Sequence, residues 1–253
     1  HAIISKAIRS GKLHSRNSLL DASSGNTAIA YATLLKPLGW KPTICLPSNA
    51  SAERKNILKS LGAELILTSP LEGTDGAQIV AKETYAANPD KYFYADQYSN
   101  DANWQAHYLT TAEEIWTQTK GKITHFVAGL GTTGTFVGTA RRLKELGNVQ
   151  LISLQPDHPF HPLEGWKHLA TAHRPGIYDD TLADKTLVID SSGVFDMIKS
   201  ISIHERLFIS PSGAANLLGA LEVASQIKEG DIVTTLADTL DRYQEVRKEI
   251  FGK

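Results

Sequence analysis

A single cysteine, Cys45, stands among 253 residues, so the chain cannot close a disulfide within itself. It lies in the apolar run Thr43-Ile44-Cys45-Leu46, which reads as a buried, unreactive thiol. A catalytic cysteine wants a nearby base and an exposed, electropositive setting, and the local sequence has neither. An excess of charge of one sign is also missing, because 26 Lys and Arg against 27 Asp and Glu leave a formal net charge of −1. Nucleic acids and anionic membrane surfaces select a basic face, so small molecules are the expected partners. No apolar run approaches the ~20 residues that span a bilayer. No signal-peptide pattern is visible either, and the expected address is cytoplasmic. Low-complexity segments and internal repeats are absent as well.

What is present is an alternation of short apolar runs and helical patterns, which points to an α/β protein with parallel sheets covered by helices. The expected strands are 18–21, 42–46, 64–67, 92–95, 123–128, 149–154, 186–189, 207–209 and 232–236. The expected helices are 27–35, 52–61, 76–86, a longer one over 102–117, then 135–146, 193–204, 213–227 and 241–250. Two lobes are expected, 1–105 and 106–253, each with a parallel-rich twisted sheet.

Two strand-to-helix turns carry the chemistry. The first, Ser23-Ser24-Gly25-Asn26-Thr27, gathers small hydroxyls, one amide and backbone N–H groups at a helix start, where an anion is held without a charged side chain. An ordinary N-cap by Ser24 or Asn26 is the plain alternative, and it explains one residue of the run. The second, Gly129-Leu130-Gly131-Thr132-Thr133-Gly134-Thr135, combines glycines that permit close approach with threonine hydroxyls, and its natural guest is a phosphate. Counted from Gly129, it also fits Gly-x-Gly-x-x-Gly. A dinucleotide site wants an acidic residue at the end of the next strand, and that strand ends in Gln155, with Asp157 only beyond Pro156.

The long irregular stretch 155–184 holds His158, His161, His168 and His173 together with Phe160, Trp166 and Tyr178. The histidines lack cysteines and any zinc-ligand spacing, so no metal site is expected, and the aromatics suggest an ordered, packed loop.

Together the turns and their order resemble the cysteine synthase family of fold-type-II enzymes, which use pyridoxal 5′-phosphate. The stretch Ile123-Thr124-His125-Phe126-Val127, followed by Gly131-Thr132-Thr133-Gly134-Thr135, is closer to the B-type than to the A-type. Further matches are Asp96-Gln97-Tyr98-Ser99-Asn100, Ala106-His107-Tyr108, Pro175-Gly176-Ile177-Tyr178, Ser212-Gly213-Ala214-Ala215 and Asp241-Arg242-Tyr243. The resemblance covers nearly the whole chain and implies a tryptophan synthase β-like fold. It also implies roles: Asn26 at the cofactor's 3′-oxygen, and Ser23, Ser24, Gly25, Thr27 and Gln97 at the amino-acid carboxylate. Gly131, Thr132, Thr133, Gly134 and Thr135 would hold the cofactor phosphate. Ser212 would face the pyridine nitrogen, although Pro211 stands where the family has its first serine and Ser210 is the other candidate.

The implied reaction is β-replacement, forming L-cysteine from O-acetylserine or O-phosphoserine and a sulfur donor, in a homodimer whose lobes close over the substrate. Cystathionine β-synthase, a serine or threonine dehydratase, or a catalytically silent binding protein on the same fold are the rival readings. The family's Schiff-base lysine sits in an Asn-Pro-x-Gly-Ser-x-Lys-Asp-Arg motif that does not occur here. Lys6 and Lys12 match nothing in it, so the lysine is expected upstream of His1. Arg141, Arg174 and Arg206 read as solvated surface charge.

Overall fold

The computed structural model describes residues 1–252 and separates into two compact units, His1–Asn103 and Trp104–Lys253. The first unit begins with helix α1 (Ala2–Arg9) and then alternates β1 (Ser18–Ala22), α2 (Asn26–Leu35), β2 (Thr43–Pro47), α3 (Ala52–Ser60), β3 (Glu64–Thr68), α4 (Gly73–Ala87) and β4 (Tyr92–Tyr94). All four strands pair in parallel, in the order β3-β2-β1-β4. Alternation along the strands sends Leu19, Ile44 and Leu46 into one core and Leu20, Ala22 and Cys45 into the other, as burial on both faces of a covered sheet requires.

Helix α5 (Asp101–Leu109) is followed by α6 (Thr111–Gln118), β5 (Ile123–Gly129), α7 (Gly134–Leu146), β6 (Gln150–Pro156), β7 (Lys185–Ile189), α8 (Val194–His204), α9 (Pro211–Gln226), β8 (Asp231–Thr234) and α10 (Gln244–Phe251). The second sheet is again wholly parallel, in the order β7-β6-β5-β8. Val127, Ile152 and Leu154 pack on one face, and Phe126, Ala128 and Leu151 on the other.

Three expectations are corrected. The single helix over 102–117 is two, because Thr110 leaves helical geometry at φ −126° and ψ −68°. The strand over 207–209 is only one antiparallel bridge, Ile209 to Thr239. The segment 155–184 does pack through Leu163, Ile177 and Leu182, but Phe160 is 92% exposed and takes no part.

In both sheets the chain order reverses between two neighbouring strands, β1 and β4 in the first, β5 and β8 in the second. Ligands of open α/β sheets bind beyond the carboxyl ends of the strands at such a reversal. The two sequence-marked turns follow β1 and β5.

Candidate active site

In the first unit, β1 delivers the chain to Ser23 and α2 starts at Asn26, with Gly25 as its N-cap residue in extended geometry. The capping is done from further back. The Ser23 Oγ accepts the N–H groups of Gly25 and Ala28, both at 3.3 Å, so neither Ser24 nor Asn26 is the cap the sequence suggests. With its oxygen accepting twice, the Ser23 hydroxyl proton can be donated to a ligand. Beyond β4, the turn Asp96–Asn100 places the buried Gln97, whose Nε2 donates to the Ala22 carbonyl at 2.8 Å. That bond brings Gln97 to the base of the Ser23–Thr27 turn. Arg54, 7% exposed on α3, donates from Nη1 to the Ser24 carbonyl at 2.7 Å.

In the second unit, the turn after β5 leads into the 13-residue α7, whose N-terminus carries the positive end of its dipole. Thr133 caps it in a left-handed conformation, φ 71°, that a β-branched residue rarely adopts. Its Oγ1 is buried and has no hydrogen-bond partner among the described residues. Thr132 Oγ1 accepts the Gly134 N–H weakly, at 3.4 Å. Thr135 Oγ1 is hydrogen-bonded with His107 at 3.3 Å, and burial lowers the pKa of that imidazole, favouring its neutral form. The first two glycines serve the chain's own loop: a Cβ at Gly129 would lie 1.9 Å from the Trp166 ring, and one at Gly131 would lie 2.0 Å from the Gly165 carbonyl.

Asn216 on α9 holds the turn in place. Its Oδ1 accepts the Gly129 N–H at 2.8 Å and its Nδ2 donates to the Thr235 carbonyl at 2.8 Å, tying the ends of β5 and β8 together. One turn earlier on α9 lies Ser212. The helix is capped by Ser210, whose Oγ accepts the Gly213 N–H at 3.2 Å and contacts Ser212 Oγ at 3.1 Å, while Pro211 occupies the first helical position.

A model of one protein family, described as "Pyridoxal-phosphate dependent enzyme", matches residues 1–238. The chain belongs to this family of pyridoxal-phosphate-dependent enzymes. Among its relatives is a cysteine synthase of Aquifex aeolicus, 43% identical over 94% of this chain and 74% of that protein. Another is cysteine synthase B of Escherichia coli, 35% identical over 100% of this chain and 82% of its relative. Among solved structures, an O-acetylserine-dependent cystathionine β-synthase from Helicobacter pylori superposes with a TM-score of 0.89 at 30% identity, covering 96% of this chain and 82% of that one.

The second-unit turn fits the phosphate of pyridoxal phosphate by its donor chemistry. It offers a helix N-terminus and three threonine hydroxyls, one of them, that of Thr133, buried and left orphaned, which is what an oxygen-rich anion satisfies and an apolar group would not.

The structure thus brings Ser23, Ser24, Gly25, Asn26, Thr27 and Gln97 to one end of the first sheet, and Gly131 to Thr135 with Ser212 to the corresponding end of the second. Lys6 and Lys12 are exposed on and after α1. Arg141 is half-buried, stacked 4.4 Å over Trp104 and paired with Asp179, so it is not the solvated charge the sequence suggests. Cys45 is fully buried and its thiol is pushed up to about 12 by that burial, as an inert cysteine should be. Sequence reasoning missed Arg54 and Asn216. Their only signal was a polar residue on an otherwise buried helix face.

Proposed function

We infer that the protein is a cysteine synthase that exchanges the β-substituent of an activated serine for sulfur. What carries the reading is an uncharged, hydroxyl-lined nest, Ser23 to Thr27, on a chain similar to cysteine synthases. Pyridoxal phosphate, when bound, supplies an electron-withdrawing ring that labilises the Cα proton and the β-substituent of an amino acid. Gly131, Thr132, Thr133, Gly134 and Thr135 would hold its phosphate, Asn26 its 3′-oxygen and Ser212 its ring nitrogen. A serine hydroxyl at that nitrogen cannot keep it protonated as a carboxylate would, which favours β-elimination and replacement over chemistry needing a long-lived carbanion. Ser23, Ser24, Gly25, Thr27 and Gln97 would bind the substrate carboxylate, using N–H and O–H donors at a helix start so that geometry selects the anion. No lysine of these 253 residues is assigned to hold the cofactor aldehyde or to move the Cα proton, because the motif that carries that lysine in the family does not occur among them. A homodimer, which the resemblance implies, and a cytoplasmic address complete the reading.

The test is product analysis by the full-length protein. O-acetylserine or O-phosphoserine, each with sulfide or thiosulfate, should give L-cysteine or its S-sulfonate in at least one pairing, and no sulfur amino acid from any pairing would reject the assignment. A second reading is favoured by the Helicobacter pylori structural neighbour: joining the Cβ of the same activated serine to the homocysteine sulfur, with loss of the β-substituent. Cystathionine formed faster than cysteine would establish it.

A further inference from the structure

One charged group of the first unit is fully buried without belonging to the anion nest. Asp21, on β1, is 0% exposed and shares with Leu19 the strand face covered by α2. Its Oδ2 accepts the Tyr31 hydroxyl of α2 at 3.0 Å, and its Oδ1 accepts the Ala22 N–H at 2.9 Å. The Gln97 backbone N–H also favours the charged form of this carboxylate, lowering its pKa. Gln97 itself is held twice, by its own amide on the Ala22 carbonyl and by Asn103 Nδ2, which donates to the Gln97 carbonyl at 2.7 Å. Through Tyr31 and Ala22 the carboxylate therefore links α2 to the end of β1, and the Ala22 carbonyl in turn holds Gln97 of the turn after β4. A strand position facing a helix is ordinarily aliphatic, and a buried carboxylate is costly unless its lone pairs are taken up. Here they are taken up by α2 and by Ala22, the residue that both leads into the nest and holds Gln97.

We propose that Asp21 is a positioning residue for the amino-acid substrate, fixing Ala22, and with it the Gln97 amide and the start of the Ser23–Thr27 turn, in the one arrangement that receives a carboxylate. The proposal rests on the cysteine synthase reading and deepens it. As a carboxylate, Asp21 accepts both Tyr31 and Ala22; once protonated, its own O–H competes with the Tyr31 hydroxyl and needs an acceptor, so this pair of bonds is weakened.

The titratable groups around it are Tyr31 from α2, Cys45 from β2, Tyr94 from β4, and Asp96 and Tyr98 from the following turn. From α4, Asp75 acts on Tyr98 and Lys82 on Asp96. Burial is the largest influence on Asp21 and lifts it to about 7, against the pull of Ala22, Tyr31 and Gln97. Substrate affinity should consequently weaken as the pH falls through neutrality.

The experiment uses the full-length holoenzyme and two variants, Asp21→Asn and Tyr31→Phe. Steady-state kinetics for cysteine formation from about pH 5.5 to about pH 9 should show KM for the activated serine rising on the acid side of neutrality, with kcat changing less. In Asp21→Asn, KM should be raised about tenfold at alkaline pH and that acid rise should vanish. In Tyr31→Phe, which keeps the carboxyl but deletes its donor, the rise should begin at higher pH; this variant decides the matter if Asp21→Asn does not fold. L-serine binding, read from the cofactor's absorbance, reports the same positioning without turnover. Equal serine affinity and an unchanged pH profile in the variants would overturn the role of Asp21. Absence of cysteine formation alongside variant-sensitive serine binding would instead reject the proposed reaction and leave the positioning role standing.

Discussion

Thr133 combines a left-handed backbone with a buried hydroxyl that no described residue satisfies. The backbone of a β-branched residue there costs about 1–2 kcal/mol, and such cost persists where surrounding structure or a ligand requires it. Thr133→Gly should therefore raise the melting temperature of the cofactor-free protein while weakening cofactor binding. Thr133→Val, which keeps the shape and deletes the hydroxyl, should lower cofactor affinity about tenfold without loss of cofactor-free stability. Calorimetry and fluorescence titration with pyridoxal phosphate measure the two effects. Asn216→Ala strands the Gly129 N–H and the Thr235 carbonyl, and should cost about 1–3 kcal/mol in urea denaturation. Arg54→Met deletes the donor to the Ser24 carbonyl and should raise KM for the amino acid several-fold more than it lowers kcat, in the same assay. The hydroxyls and glycines of the two turns were legible in the sequence because they are contiguous. Arg54 and Asn216 were not, because their partners lie 30 and 87 residues away and only the folded sheets bring them together.

At the scale of elements, the alternation of strands and helices was readable because the central strands β1, β2, β5 and β6 are short apolar runs largely buried on both faces. The failures were local. Nothing in Leu109-Thr110-Thr111 marks the break between α5 and α6, which a Gly or Pro would have announced. The run Leu207-Phe208-Ile209 has strand character, yet it makes a single bridge, Ile209 to Thr239, and Leu207 and Phe208 are exposed. The helix expected over 213–227 opens earlier, at Pro211, because proline is favoured inside the first turn and the cap falls on Ser210. The tightest helix contact is set by a glycine: a Cβ at Gly138 of α7 would lie 2.0 Å from the Trp104 carbonyl and 2.8 Å from the His107 Cβ. Gly138→Ala should accordingly force α7 away from the start of the second unit and destabilise it by roughly 2 kcal/mol or more, measured by urea denaturation. Because Thr135 lies on α7 and is hydrogen-bonded with His107, cofactor affinity should fall with it.

For the molecule as a whole, no described helix is long and apolar enough to cross a membrane. Stability should depend on pH through two buried groups of opposite sign. Asp21 is raised from the ordinary 3.8 to about 7, so between those values the folded protein holds a proton that the unfolded chain has lost. Its contribution to stability falls as the pH rises across that window and is constant above it. His107 is lowered by burial, so its contribution is present above the ordinary histidine value of 6.5 and is lost on acidification below it. Melting temperature against pH should thus rise more steeply from about pH 4 to about pH 7 in Asp21→Asn than in the wild type.

The reaction itself is decided by one measurement, mass spectrometry of the amino-acid product when the full-length protein is supplied with O-acetyl-L-serine and isotopically heavy sulfide. The expected result is L-cysteine bearing the heavy sulfur, in amounts exceeding the enzyme over many turnovers and abolished by removing pyridoxal phosphate. Recovery of unchanged substrate, or of pyruvate and ammonia alone, both here and with O-phospho-L-serine or thiosulfate as the alternative partner, would contradict a cysteine synthase.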